Sequence, residues 1–113
     1  MTQTYLPKEI AEVLQLTERY VLKLLPGIKE IKLVRFGRFV RIDKESFDRW
    51  FNGDAPAGEK NETYTPKQIS EILRLSPRCV YSQLKNTDAF RVITIGKNVR
   101  IHKQSFDNWY NWR

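Results

Sequence analysis

The chain has a single cysteine, Cys79, and a single histidine, His102. One thiol cannot close an internal disulfide and suits a reducing cytosol. One thiol and one imidazole also fall short of the four ligands of a structural zinc site, so no metal is expected. No Ser/His/Asp set, glycine-rich phosphate loop or ligand cluster is spaced for catalysis. An enzyme, a cofactor and a small-molecule ligand are therefore not expected. No apolar run approaches the roughly twenty residues of a membrane-spanning helix. The opening MTQTYLPKE lacks both the basic and the apolar region of a secretory leader, so the expectation is a cytoplasmic protein without a membrane partner. Acidic residues are few as well. Twenty Lys and Arg against 13 Asp and Glu leave a formal charge of +7, which favours anionic partners without specifying a fold.

What is present is a repeat. Shifting the chain by 59 positions lays TYLPKEIAEVLQLTERYVLKLL (4–25) over TYTPKQISEILRLSPRCVYSQL (63–84), and GRFVRIDKESFDRWF (37–51) over GKNVRIHKQSFDNWY (96–110), without a gap. Twenty of the 48 aligned positions are identical. Solenoids need more and shorter copies. Two modules, 1–51 and 63–113, joined by a flexible linker over 52–62 (NGDAPAGEKNE), are expected instead. The first copy carries a charge of +3, the second +5 and the linker −2, with Arg113 completing +7, so the positive charge belongs to the modules.

Within the second copy, Thr65-Pro66-Lys67-Gln68 has the layout of a capping box with proline at the first helical position. Ile69, Ile72 and Leu73 recur at helical spacing, which predicts a helix of about nine residues ending near Arg74. The first copy repeats the stripe as Ile10, Val13 and Leu14 but has Leu6 at the cap position, so its helix should start more weakly. A second N-cap follows at Thr17 and Ser76. Two short helices joined by a tight connection outline a helix-turn-helix. On the second helix Val21 and Leu25, or Val80 and Leu84, should face the core. Glu18, Arg19 and Lys23, with Arg78 and Ser82, then point away from it.

VRFGRFVRI (34–42) and ITIGKNVRI (93–101) read as hairpins. A three-residue loop, Gly37-Arg38-Phe39, would pair Phe36 with Val40 and Val34 with Ile42. That places four apolar side chains on one face and Arg35 and Arg41 on the other. In the second copy the same register turns Ile93, Ile95, Val99 and Ile101 inward and Thr94 and Arg100 outward. A closing helix then sets Phe47 and Trp50, or Phe106 and Trp109, on a core-facing stripe. The predicted fold is mainly α with small β-hairpins (α+β), arranged as two tandem winged helix-turn-helix modules.

Each copy resembles the small DNA-binding module of the excisionase family. The matching residues are Tyr5-Leu6-Pro7-Lys8-Glu9-Ile10-Ala11-Glu12, Leu16-Thr17, Phe36-Gly37-Arg38-Phe39-Val40-Arg41-Ile42 and Trp50. Their counterparts are Tyr64-Thr65-Pro66-Lys67-Gln68-Ile69-Ser70-Glu71, Leu75-Ser76, Ile95-Gly96-Lys97-Asn98-Val99-Arg100-Ile101 and Trp109. The DNA-reading heads of MerR-like regulators are similar, but this chain lacks their long dimerising helix and effector domain. It departs from single-module excisionases in being duplicated.

The resemblance implies a second helix in the major groove and a wing beside the backbone or minor groove. Arg19 and Arg78 become base-reading residues, because arginine pairs bidentately with guanine. Lys23 and Gln83 come next, with Tyr20 and Cys79 at base edges or methyls, and Thr17, Glu18, Ser76 and Ser82 completing the helix faces. Arg35, Arg38, Arg41, Thr94, Lys97, Asn98 and Arg100 supply the wings, and Lys8 and Lys67 the backbone contacts of the first helices. The implied partners are double-stranded DNA, over two adjacent half-sites, and a tyrosine-type recombinase of a mobile element. Eleven flexible residues average about 18 Å end to end and stretch to about 37 Å, against about 34 Å for one duplex turn. A monomer spanning both half-sites is expected. A transcriptional regulator would use the same chemistry, and an adaptor gripping an acidic protein is the remaining class.

Overall fold

Each copy opens with a strand of two residues and a helix that begins at proline. In the first copy β1 (Thr4–Tyr5) leads into α1 (Pro7–Leu14). Leu6 offers no side-chain acceptor, yet the Glu9 carboxylate accepts the Leu6 N–H at 2.8 Å, which preserves half of a capping box. The structure, a computed structural model, describes residues 4–111; positions 1–3 and 112–113 of the expected modules lie outside the described residues.

The chain leaves α1 through Gln15, a left-handed residue with φ 54°. The Leu16 N–H then reaches back to the Ala11 carbonyl at 3.0 Å, as in a Schellman turn. Three residues after α1 ends, α2 (Glu18–Leu24) begins, capped by Thr17, which accepts the Tyr20 N–H at 3.2 Å. A single 3-10 turn over Leu25–Gly27 follows, and then β2 (Leu33–Phe36), β3 (Phe39–Asp43) and α3 (Lys44–Asn52).

The second copy has β4 (Thr63–Tyr64), α4 (Pro66–Leu73), α5 (Pro77–Leu84), β5 (Val92–Ile95), β6 (Asn98–His102) and α6 (Lys103–Asn111). Thr65 and Gln68 form the complete capping box, at 3.1 and 2.8 Å. Arg74 ends α4 with φ 56°, and Ser76 caps α5 through the Cys79 N–H. Among the described residues there are thus six α-helices and two three-stranded antiparallel sheets, ordered β1-β3-β2 and β4-β6-β5: an α+β chain.

The hairpin register differs from the expected one. Phe36 pairs with Phe39, Arg35 with Val40 and Leu33 with Ile42, leaving a two-residue loop, Gly37-Arg38. Ile95 likewise pairs with Asn98 and Thr94 with Val99 across Gly96-Lys97. Gly37 and Gly96 both have φ +60°, and neither Arg38 nor Lys97 has a positive φ. Glycine at the first of two central positions defines a type II′ turn, whose twist matches that of the strands. Turn chemistry therefore overrode the alternation of apolar residues. Partners directly opposite share a face, so Arg35 lies with Val40, and Val34 with Arg41. In the second copy Thr94 and Val99 share one face, and Ile93 and Arg100 the other. Ile93 and Ile95 are nonetheless both only 2% exposed.

In the first unit the core gathers Ile10, Leu14, Val21, Leu25, Ile42, Phe47 and Phe51, all buried. In the second unit Ile69, Val80, Leu84, Ile101 and Phe106 form the cluster, with Tyr64, Phe90 and Val92 packed against it. The closing tryptophans pack at the edge of these cores rather than inside them, 5.6 Å from Phe47 and 5.4 Å from Phe106 between ring centroids. Trp50 is half-buried and Trp109 is 43% exposed. Residues from outside the helix join them around the same rings: Tyr5 stands edge-on to Phe47 at 5.6 Å, and Phe90 to Phe106 at 5.0 Å. Ile72, on the expected stripe of α4, is also exposed.

The chain divides after Gly53 into two compact units. Asn52 belongs to α3. Beyond the division, the Glu62 carbonyl accepts the Lys103 N–H at 3.0 Å, and Gly58 lies so near Gln104 that a Cβ there would stand 2.5 Å from its Oε1.

Candidate nucleic-acid interface

In the first unit, α1 and the hairpin bring basic side chains to one concavity of about 360 Å³, beside α2. Lys8 comes from the start of α1, where Pro7 is buried and turns its neighbour outward. Arg38 and Arg41 come from the hairpin, and Glu18, from α2, is the one carboxylate on the wall. Leu6, Leu22 and Phe39 supply its apolar surface, each of them exposed. Arg19, Lys23 and Arg35 are exposed but do not line it.

The outward faces of α2 and α5 follow from the burial of Val21, Val80 and Leu84 one helical face away. Arg78, Ser82 and Gln83 are exposed, whereas Tyr20 and Cys79 are half-buried. Thr17 and Ser76 are exposed, but each hydroxyl oxygen already accepts a helix N–H. Only the hydroxyl proton is left to donate to an acceptor such as a phosphate.

On the hairpins, Arg38 and Lys97 occupy the second turn position and are exposed, as is Thr94. Arg41 and Arg100 are half-buried and held alike: each guanidinium donates from Nη1 to the carbonyl of the preceding valine, at 2.9 and 2.8 Å. Burial pushes the Arg100 pKa below its ordinary value, with Tyr81 acting the other way. Neither effect discharges a guanidinium at neutral pH. Asn98 points its amide back along the hairpin, donating to the Ile95 carbonyl at 3.4 Å. Lys67 is exposed at the start of α4, as Lys8 is on α1.

A wider concavity of about 930 Å³ lies in the second unit, beside Lys85, Phe90, Thr94 and Trp109. Of the expected contact residues only Thr94 reaches it. Its wall mixes Lys85 and Arg91 with Asp54 and Asp88, so it offers an anion no single sign of charge.

His102 is buried and accepts the Ser105 N–H on Nδ1 at 3.1 Å, capping α6. Among the described residues no three His, Cys, Asp or Glu side chains are gathered to hold a metal, and no helix is long and apolar enough to cross a membrane. The sequence pattern had not marked Leu22 as exposed, had turned Phe36 inward and had put Phe39 in the loop; all three are exposed. The turn chemistry of Gly37 was the available signal for the last two, since a two-residue loop sets them opposite each other.

No protein-family model matches the chain, and neither a curated protein nor a solved structure does.

Proposed function

We propose that the chain is a sequence-specific binder of double-stranded DNA, made of two tandem winged helix-turn-helix modules similar to those of the excisionase family. Its role in this reading is architectural, beside a tyrosine-type recombinase of a mobile element. The observation that carries the reading is the convergence of Lys8, Arg38 and Arg41, from α1 and the hairpin, on one concavity beside α2. Phosphate neutralisation needs such a surface, since backbone contacts provide most of the affinity.

In this reading α2 and α5 lie in the major groove, with Arg19 and Arg78 directed at guanine edges. The hairpins act as wings, with Arg38 and Lys97 at the tips, while Lys8 and Lys67 fix the register on phosphates. Arg41 and Arg100 are tied to their own strands, so they add fixed charge near the backbone rather than reading bases. One module offers a small interface. Tethering two raises the effective concentration of the second to roughly millimolar.

The test is footprinting on DNA flanking the protein's own coding sequence, at two salt concentrations, for the wild type and for Arg19→Ala and Arg78→Ala. Each variant should lose protection over one half-site, and affinity should fall steeply with salt. Unchanged footprints would remove the recognition helices from the reading. Binding that does not weaken with salt would replace DNA by an acidic protein partner. An excision assay with a neighbouring recombinase, run beside a promoter reporter, separates the recombination role from transcriptional regulation.

A further inference from the structure

Two aromatic rings stand at the tip of the first hairpin, where the core cannot use them. Phe36 is 82% exposed and Phe39 is 51% exposed, and the two are direct cross-strand partners on one face. Two guanidiniums flank Phe39: Arg38 Cζ lies 5.7 Å and Arg41 Cζ 5.8 Å from its ring centroid. The type II′ turn at Gly37 holds this tip in one shape. The second hairpin has no equivalent. Ile95 is 2% exposed there, and Asn98 turns its amide onto the Ile95 carbonyl.

We propose that Phe36 and Phe39 form an apolar wedge that enters the DNA minor groove and partly unstacks one base step, with Arg38 and Arg41 gripping the phosphates on either side. The proposal rests on the DNA-binding reading above and adds a distortion made by one module only. Strands lie about 4.8 Å apart before side chains are counted, and the minor groove is only about 6 Å wide. A hairpin therefore cannot enter it whole, and only the tip side chains can. Inserted apolar side chains of this kind kink a duplex by opening a step. Charge complementarity selects the occupant. Lys8, Arg38 and Arg41 meet a single carboxylate, Glu18, around the concavity that Phe39 lines, so the aromatic surface is presented to a polyanion.

The experiment uses the full chain and a duplex recovered by selection from a random pool, carrying 2-aminopurine at successive steps. Wild type, Phe39→Asn (the residue of the second copy) and Phe36→Ala are compared for affinity, for 2-aminopurine fluorescence and for bending by end-to-end energy transfer. Wild type should brighten the probe at a step within one half-site only. Each variant should abolish that signal and reduce bending, while affinity falls about tenfold. Both side chains are exposed, so melting should be unchanged and folding is not at issue. Salt-sensitive binding with no unstacking in the wild type, or unstacking that survives both substitutions, overturns the wedge and leaves DNA binding standing. Failure to recover any duplex overturns DNA binding and the wedge together. A wild-type dimer that becomes monomeric in Phe36→Ala would overturn the wedge in favour of a second copy seated on the patch.

Discussion

The Nδ1 of His102 accepts the Ser105 N–H at 3.1 Å, at the position where the Asp43 carboxylate accepts the Ser46 N–H at 3.0 Å. The two copies thus cap the same helix with a titratable base in one and an acid in the other. To accept, Nδ1 must be unprotonated, which keeps the imidazole neutral. Burial first, and the nearby Arg91 charge second, push the His102 pKa below its ordinary 6.5.

The sign of the consequence follows from proton uptake. Below about pH 6.5 the unfolded chain binds a proton at His102 that the folded unit refuses, so folding is penalised. Stability of the second unit is full above that pH and declines as pH falls from there towards the folded pKa. Hydrogen exchange at pH 7.5 and 5.5, resolved by segment, should show protection lost over α6 and β6 at the lower pH. His102→Asp should remove that loss. Equal protection at both pH values in the wild type would refute the capping role.

Ser105 serves a second neighbour. Its hydroxyl oxygen accepts the Arg91 N–H at 2.9 Å, as Ser46 accepts the Lys32 N–H at 2.9 Å. Both serines are buried, so substitution strands a backbone donor. Ser105→Ala and Ser46→Ala should each cost about 1–3 kcal/mol, read from the urea midpoint of the affected unit at constant slope.

Leu6 leaves the first helix half capped. Leu6→Thr should complete the box already present at Thr65 and Gln68, raising the stability of the first unit by about 0.5–1 kcal/mol. Thr65→Ala should lower that of the second unit by a similar amount. Amide protection in α1 and α4 measures both.

Gln15 and Arg74 hold left-handed conformations that side chains other than glycine adopt at a cost. Gln15→Gly and Arg74→Gly should therefore stabilise their units by about 0.5–1 kcal/mol. A loss of stability in either variant would mean that the side chain itself holds the turn.

Much of this arrangement was legible in the residues. Thr17, Thr65 and Ser76 mark helix starts because a short hydroxyl before a helical stripe has few other uses. The spacing of Val21 and Leu25, and of Val80 and Leu84, placed one face of the second helix in the core. The strands β1 and β4 were not legible, because two residues carry no periodicity. Their pairing with β3 and β6 is a long-range contact that local residue patterns do not signal. The roles of Tyr5 and Tyr64 went unseen for the same reason: their hydroxyls reach Asp48 and Asp107, 43 residues onward, at 2.7 and 2.8 Å.

The sequence by itself determined the two copies, their helices, their caps and the positive charge of each, because all of these depend on local chemistry and on counting. Tertiary structure alone decided the hairpin register, and with it the fate of the aromatic residues. A glycine at φ +60° outweighed the apolar alternation, so Phe39, expected in the loop, became a strand residue facing Phe36. It also decided that Tyr5 and Phe90, rather than the tryptophans alone, complete the aromatic cores. A side chain is buried by whatever packs over it, and that neighbour is set by the fold rather than by adjacent residues.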